Sequence, residues 1–162
     1  MNNSYTFEGR SGIEKQGFPD IIQHLKSLSS ETPIIAVTSD QKYRNQDIDL
    51  LWGTETIEIK VDTYTTGNFF FETQSNKERG TPGCFMYTKA DWIYYYFIKT
   101  KTLYKLPMPE TRMWFEQNIN KFAERSTKTS CGGPQGYYTT VGRLVPISML
   151  ADYVHKEILR GQ

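Results

Sequence analysis

The chain has 162 residues, 38% of them hydrophobic and 14% aromatic, which excludes a disordered polymer and fits one domain spanning 1–162 with a real core. Nineteen Lys and Arg against eighteen Asp and Glu leave a formal net charge of +1, which excludes a globally basic nucleic-acid wrapper. Two cysteines without CxxC spacing and two histidines, His24 and His155, argue against a zinc site, and Cys84 and Cys131 read as buried thiols in a reducing cytosol.

The opening MNNSYTFEGRSG has no positive start followed by an apolar run, so no signal peptide is expected. From Ser11 to Ser29, Ile13, Phe18, Ile21, Ile22, Leu25 and Leu28 follow a helical stripe, with Pro19 as an interruption near its start. ETPIIAVTSD reads as a short buried strand. QDIDLLW and TETIEIKVD then alternate as two strands joined by a tight turn at Gly53-Thr54. Ile48, Leu50 and Trp52 share one face of the first strand. In the second, Ile57, Ile59 and Val61 face the core, opposite Glu58, Lys60 and Asp62.

TGNFFFETQSN is a further strand, KERGTPGC a loop, and TKADW the start of a short helix. WIYYYFIKTKTLYKLP reads as strand, turn, strand, and is too short in apolar run for a membrane span. MPETRMWFEQNINKFAER has the spacing of a helix whose Met and aromatic stripe belongs to the core. SCGGPQGYYTTVGRLVP is a glycine-rich loop entering a strand, and Ile147 to Leu159 predicts a closing helix. The fold class is α+β or mixed α/β, a central mixed sheet flanked by helices. The protein is expected to be soluble and intracellular. No P-loop, GxSxG or HExxH motif occurs, which sets those chemistries aside.

The charges on the two hairpin strands carry the chemistry. Antiparallel pairing across Gly53-Thr54 brings Asp49 close to Glu58, with Lys60 two residues on. Two nearby carboxylates repel, and a divalent cation such as Mg²⁺ resolves the repulsion with oxygen ligands. A solvated charged strand face explains an isolated ExK equally well; Asp49 on the neighbouring arm strengthens the functional reading.

The spacing Asp49, then Glu58-Ile59-Lys60, resembles the PD-(D/E)XK, or restriction-endonuclease-like, nuclease superfamily. FFFETQSN through GTPGCFMYTKADWIYYYF is similar to a segment of its phage and bacterial members. No proline precedes Asp49, where the family's name carries one. The resemblance implies a restriction-endonuclease-like fold and an Mg²⁺-dependent DNA endonuclease, with Mn²⁺ as a substitute, in the cytoplasm of a bacterial or phage-infected cell. It implies Asp49 and Glu58 as metal ligands, Lys60 as the catalytic lysine, and the Ile59 carbonyl as a further ligand. Glu14 on the first helix is the first choice for an additional acid, with Asp20 next and Gln16 competing for the same place. It also implies a homodimer, so that both strands are cut. Lys89, Asn76, Lys77 and Arg79 are candidates for nucleic-acid contact, with Gln74 and Ser75 beside them; loop polarity accounts for the last two as well. Glu72 is a weaker candidate for metal or substrate contact. Asp47 and Asp62 stay undecided. Tyr94, Tyr95 and Tyr96 alternate faces, so at least one should be buried, and both histidines read as surface helix residues. The alternative is a catalytically inactive nucleic-acid- or protein-binding module on the same fold.

Overall fold

Apolar residues at positions 18, 21, 22 and 25 recur at i, i+3, i+4 and i+7, and they form the buried stripe of helix α1, Gly12–Leu28. The computed structural model describes residues 12–132, 134–150, 152 and 154–159; the N-terminal segment through Ser11 and Gly133 of the glycine-rich loop lie outside the described residues. Pro19 does not interrupt α1. It sits on the exposed face, where the helix tolerates one missing N–H.

The chain divides into two compact units. The first holds a six-stranded sheet in the order β1-β2-β3-β6-β7-β10. Its strands are β1 (Ile34–Ala36), β2 (Leu50–Trp52), β3 (Glu55–Asp62), β6 (Trp92–Phe97), β7 (Thr102–Pro107) and β10 (His155–Ile158). β3 and β6 pair in parallel and every other neighbour is antiparallel, so the expected mixed sheet is present. Helix α1 covers one face, and the four-residue helix α2 (Gln41–Arg44) precedes β2. The core joins Phe18, Ile21, Ile22 and Leu25 of α1 to Leu50, Ile57, Ile59, Val61, Tyr94, Tyr96 and Leu103. Each fully buried Phe, Ile or Leu in that set contributes about 1.5–3 kcal/mol. At Gly17 the helix lies so close to the sheet that a Cβ would stand 2.6 Å from Val61 Cγ2.

The hairpin turns at Gly53-Thr54 as its sequence predicts, but its first arm is strand only over Leu50–Trp52. Gln46 and Asp47 lie in a turn, and Ile48 packs with Val37 and Ala90 rather than in the core of Leu50 and Trp52. Trp52 pairs with Glu55 across Gly53-Thr54, and Gly53 takes φ +60°, as the first position of a type II′ turn requires. ETPIIAVTSD also departs from expectation in this region. Only Ile34–Ala36 is strand, it lies at the sheet edge, and Ile35 is 52% exposed.

The second unit is a four-stranded antiparallel sheet, β5-β4-β9-β8. It comprises β4 (Asn68–Asn76), β5 (Thr81–Pro82), β8 (Ala123–Ser130) and β9 (Tyr137–Pro146), with helices α3 (Cys84–Tyr87) and α4 (Glu110–Asn118). Aromatic rings fill its core. Phe71 stacks on Phe85 at 3.9 Å, and Phe115 stands edge-on to both. Arg112 of α4 donates to the carbonyls of Phe85 and Thr88 at 2.8 and 2.7 Å, tying α4 to the end of α3.

Four expectations are corrected. TKADW does not start a helix; the helix is α3, just before it, and Asp91 bridges two strands instead. Its carboxylate accepts from Thr56 N and Oγ1 at 2.9 and 3.0 Å. The helix expected over 108–125 stops at Asn118, continues as a 3-10 turn over Ile119–Lys121, and gives way to β8; Met113 in its stripe is 56% exposed rather than core. The closing helix is absent. Ile147–Leu150 is a 3-10 turn, and His155–Ile158 is β10, drawn into the sheet by pairing with β7. The two cysteines form no disulfide, but Cys131 is exposed and Cys84 only half-buried.

Candidate functional site

The site residues on β3 are set by the strand's place in the sheet interior, between β2 and β6. Ile57, Ile59 and Val61 face α1, as alternation predicts. The opposite face is not the solvated one. Glu58 is 1% exposed, and its neighbours on β6, Ile93 and Tyr95, are 3% exposed each. Lys60, in register with Tyr95, is half-buried.

Asp49 lies immediately before β2 and is fully buried. Its backbone N–H donates to the Ile57 carbonyl at 2.9 Å, and its carboxylate Oδ2 accepts from the Ile59 N–H at 2.9 Å. Asp49 therefore grips β3 on both sides of Glu58. The sequence places these two acids together; the fold makes them backbone neighbours, but the Asp49 carboxylate is committed to the Ile59 N–H. The Ile59 N–H, rather than its carbonyl, is the group whose role the geometry fixes.

Asp47, undecided from sequence, belongs to this site. Its carboxylate comes within 4.8 Å of the Glu58 carboxylate. The turn after α2 aims it there: Asp40 caps α2 through Lys42 N at 2.9 Å, Asp47 N donates to Arg44 O at 3.1 Å, and Asp47 adopts φ 55°. Aspartate accepts this left-handed conformation more readily than most residues. At that separation, two ionised carboxylates repel by about 3.5 kcal/mol at an effective dielectric of roughly 20. A divalent cation or a shared proton relieves this. The Asp47 and Glu58 carboxylates offer oxygen donors of the hard kind that suits Mg²⁺. The signal for Asp47 was its place two residues before Asp49, within a turn.

Other expected residues fall in several places. Glu14 is half-buried in the first turn of α1. Gln16 is exposed on the same helix. Asp20 has a structural task, accepting from Tyr96 Oη at 2.5 Å, and burial followed by that bond pushes the tyrosine far up from its ordinary value. Asp62 is likewise committed: it accepts from Tyr95 Oη at 2.6 Å and from Tyr64 N at 2.8 Å. Tyr94, Tyr95 and Tyr96 are all buried. Lys89 is exposed, and its backbone N–H donates to Gln46 O at 2.9 Å, which ties it to the turn carrying Asp47.

Asn76, Lys77 and Arg79 belong to the second unit, as do Glu72, Gln74 and Ser75. Asn76 accepts from Arg79 N at 3.0 Å and shapes the exposed turn that presents both cations. Glu78 anchors this turn by accepting from Thr139 Oγ1 and N at 2.5 and 2.9 Å. These bonds hold its carboxyl below the usual glutamate range. Within β4, Glu72 packs against Gly83 so closely that a Cβ there would lie 2.3 Å from the Glu72 carbonyl oxygen.

The histidines are not both surface helix residues. His24 of α1 has a side chain 9% exposed, 2.9 Å from Glu157 Oε2; Lys105 meets Glu157 Oε1 at 2.8 Å, and the exposed His155 of β10 lies 3.2 Å from it. Burial, with Lys105 second, lowers the His24 pKa below its ordinary value against the pull of Glu157. Burial raises the Glu157 carboxyl, but the Lys105 hydrogen bond and charge bring it below its ordinary value overall.

No helix among the described residues is long and apolar enough to cross a membrane. Comparison with protein-family models, curated proteins and solved structures yields no match to the chain.

Proposed function

We propose that the chain is an Mg²⁺-dependent nuclease of restriction-endonuclease-like fold that hydrolyses phosphodiester bonds, with DNA as its substrate. One observation carries the reading: the buried acids Asp49 and Glu58, held together by the hairpin backbone, with Asp47 close to Glu58 and Lys60 on the same strand face. A solvated charged strand would leave Glu58 exposed, and it is not.

In this reading Asp47, Asp49 and Glu58 would hold the cation; Glu14 lies on α1, which packs on the opposite, Ile57–Ile59–Val61 face of β3, and drops out of the ligand set. The bound ion supplies Lewis-acid polarisation of the phosphate and neutralises its charge. Lys60 orients the attacking water and donates a hydrogen bond to a phosphate oxygen as charge builds there. The water oxygen bonds to phosphorus and gives up a proton to solvent as the opposite P–O ester bond breaks, and the leaving sugar oxygen takes up a proton from solvent. Lys89, and separately Lys77, Arg79 and Asn76, contribute phosphate contacts whose strength falls with salt.

The test is cleavage of single- and double-stranded DNA with Mg²⁺ or Mn²⁺. Glu58→Gln and Lys60→Ala are each expected to lower the rate about 10²-fold or more while the protein stays folded. Variants that cut as fast as the parent sink the proposal. If calorimetry detects no Mg²⁺ binding that Asp49→Asn abolishes, the inactive binding module is the better reading.

A further inference from the structure

Strand β8 ends the second sheet, and all eight of its residues are exposed. Its ladder with β9 is regular from Ala123↔Leu144 to Ser130↔Tyr137. It contains neither a bulge nor a proline, two devices by which edge strands commonly avoid pairing.

The phase of the ladder determines which amides point outward. Cys131 N donates to Gly136 O at 3.0 Å, which makes 131 and 136 a hydrogen-bonded pair. Such pairs recur every second residue in an antiparallel ladder. Thr129, Thr127, Arg125 and Ala123 therefore bond to β9. Glu124, Ser126, Lys128 and Ser130 direct their N–H and C=O groups to the open edge, where the Glu124 carbonyl accepts from the Arg125 guanidinium at 2.8 Å until a partner strand replaces it. The carbonyl of Thr139, opposite Lys128, agrees with this phase, since it accepts from Lys77 N instead.

We propose that β8 is the dimer interface of this protein: a second copy of the chain adds to it antiparallel, joining two four-stranded sheets into one of eight. The charges select both partner and register. Only outward residues form the hydrogen-bonded pairs across the new seam, so the position sums allowed are even. At a sum of 252 a two-fold axis passes through Ser126, which faces Ser126 of the second copy. Glu124 then faces Lys128 of that copy, and Lys128 faces its Glu124. Sums of 250 and 254 place no opposite charges together. Cross-strand opposite charges favour pairing and like charges oppose it. Both side chains are available for this contact. Glu124 keeps 57% of its side chain exposed while meeting Arg143 at 3.1 Å, and Lys128 lies 4.5 Å over the Tyr137 ring in an exposed strand. The seam is small beside a standard interface of about 1,600 Å², so the dimer forms with modest affinity. It depends only on β8, not on the chemistry proposed at Glu58.

Sedimentation of the full chain, from micromolar to several hundred micromolar, reads the association. The expected result is a weight-average mass rising above the 18.8 kDa monomer. Lys128→Glu puts like charges at both symmetric positions and should weaken dimerisation at least about tenfold; the swap Glu124→Lys/Lys128→Glu should restore it. Ser126→Pro, which removes one outward N–H from each copy, should also give a monomer. Ser126→Cys, with Cys84 and Cys131 changed to Ser, should oxidise to a covalent dimer, because directly opposed hydrogen-bonded residues stand about 5.5 Å apart at Cα, within disulfide reach. Thr127→Cys in the same background should not. Circular dichroism checks that each variant is folded. A monomer at every concentration, a dimer indifferent to both Lys128→Glu and Ser126→Pro, cross-linking equal at 126 and 127, or association only on adding DNA would each overturn the proposal.

Discussion

Replacing Asp49 separates its two tasks, holding the hairpin and holding charge. The carboxylate is fully buried and accepts the Ile59 N–H at 2.9 Å. Asp49→Ala leaves that N–H buried with no side-chain acceptor, a loss of about 1–3 kcal/mol. For a chain of this length, 2 kcal/mol lowers the melting temperature by about 4–8 °C. Asp49→Asn keeps an amide oxygen for the same bond. It replaces a charge-assisted contact with a neutral one but also removes a negative charge beside Glu58, and these changes oppose each other. Its stability should fall within about 1 kcal/mol of the parent. The cation response should divide the variants differently. A site binding Mg²⁺ with a dissociation constant on the order of 1 mM adds about 1.4 kcal/mol at 10 mM ion, and both variants should lose that increment. Thermal melts with and without 10 mM Mg²⁺, supported by urea denaturation, measure all three proteins. Equal stability for the Ala and Asn variants refutes the structural role assigned to Asp49. An Asn variant still stabilised by Mg²⁺ refutes its role as a ligand.

Glu58→Met should stabilise the chain, because a buried acid beside Asp47 is replaced by an apolar side chain of similar length. A gain of about 1 kcal/mol or more in denaturant, together with lost cleavage, is the pattern expected of an acid retained for function; a large destabilisation would mean that Glu58 holds the fold together. Stability should also fall on acidification through His24. Its folded pKa lies below the ordinary histidine value of about 6.5, so the unfolded state binds the proton more readily; the contribution is complete above that value and is lost as pH drops through the folded pKa. Denaturation midpoints from pH 8 to pH 5 should therefore decline more for the parent than for His24→Gln, and parallel curves would exclude His24 as the cause.

The hairpin was legible because its signals are local. Alternation, a glycine able to take positive φ and a two-residue turn all lie within 46–62, and they fix pairing and register together. Helix α1 was legible for the same reason, its stripe being complete within its own turns. β10 was not. Ile147, Leu150, Val154 and Ile158 have helix-compatible spacing, but His155–Ile158 is held by β7 and by the contacts of Glu157 with Lys105 and His24, partners more than fifty residues away in sequence. β8 was missed differently. Its two Thr residues favour strands, but it has no apolar face to display alternation, since all eight residues are exposed.

The burial of Glu58 follows from topology rather than from its own strand. Period-two alternation assigns Glu58, Lys60 and Asp62 to a single face but says nothing of what covers it. β3 becomes an interior strand once β6 pairs with it in parallel, and β6 brings Ile93, Tyr95 and Phe97 to the same side. The strand is then buried on both faces at its centre, although its sequence is patterned like that of a half-solvated one. The three charges are resolved differently: Asp62 finds the Tyr95 hydroxyl, Lys60 remains half-buried, and Glu58 is enclosed with the carboxylate of Asp47 within 4.8 Å. A charge enclosed there must recover its hydration cost from its partners, so the sign of the stability change in Glu58→Met reads directly whether it does.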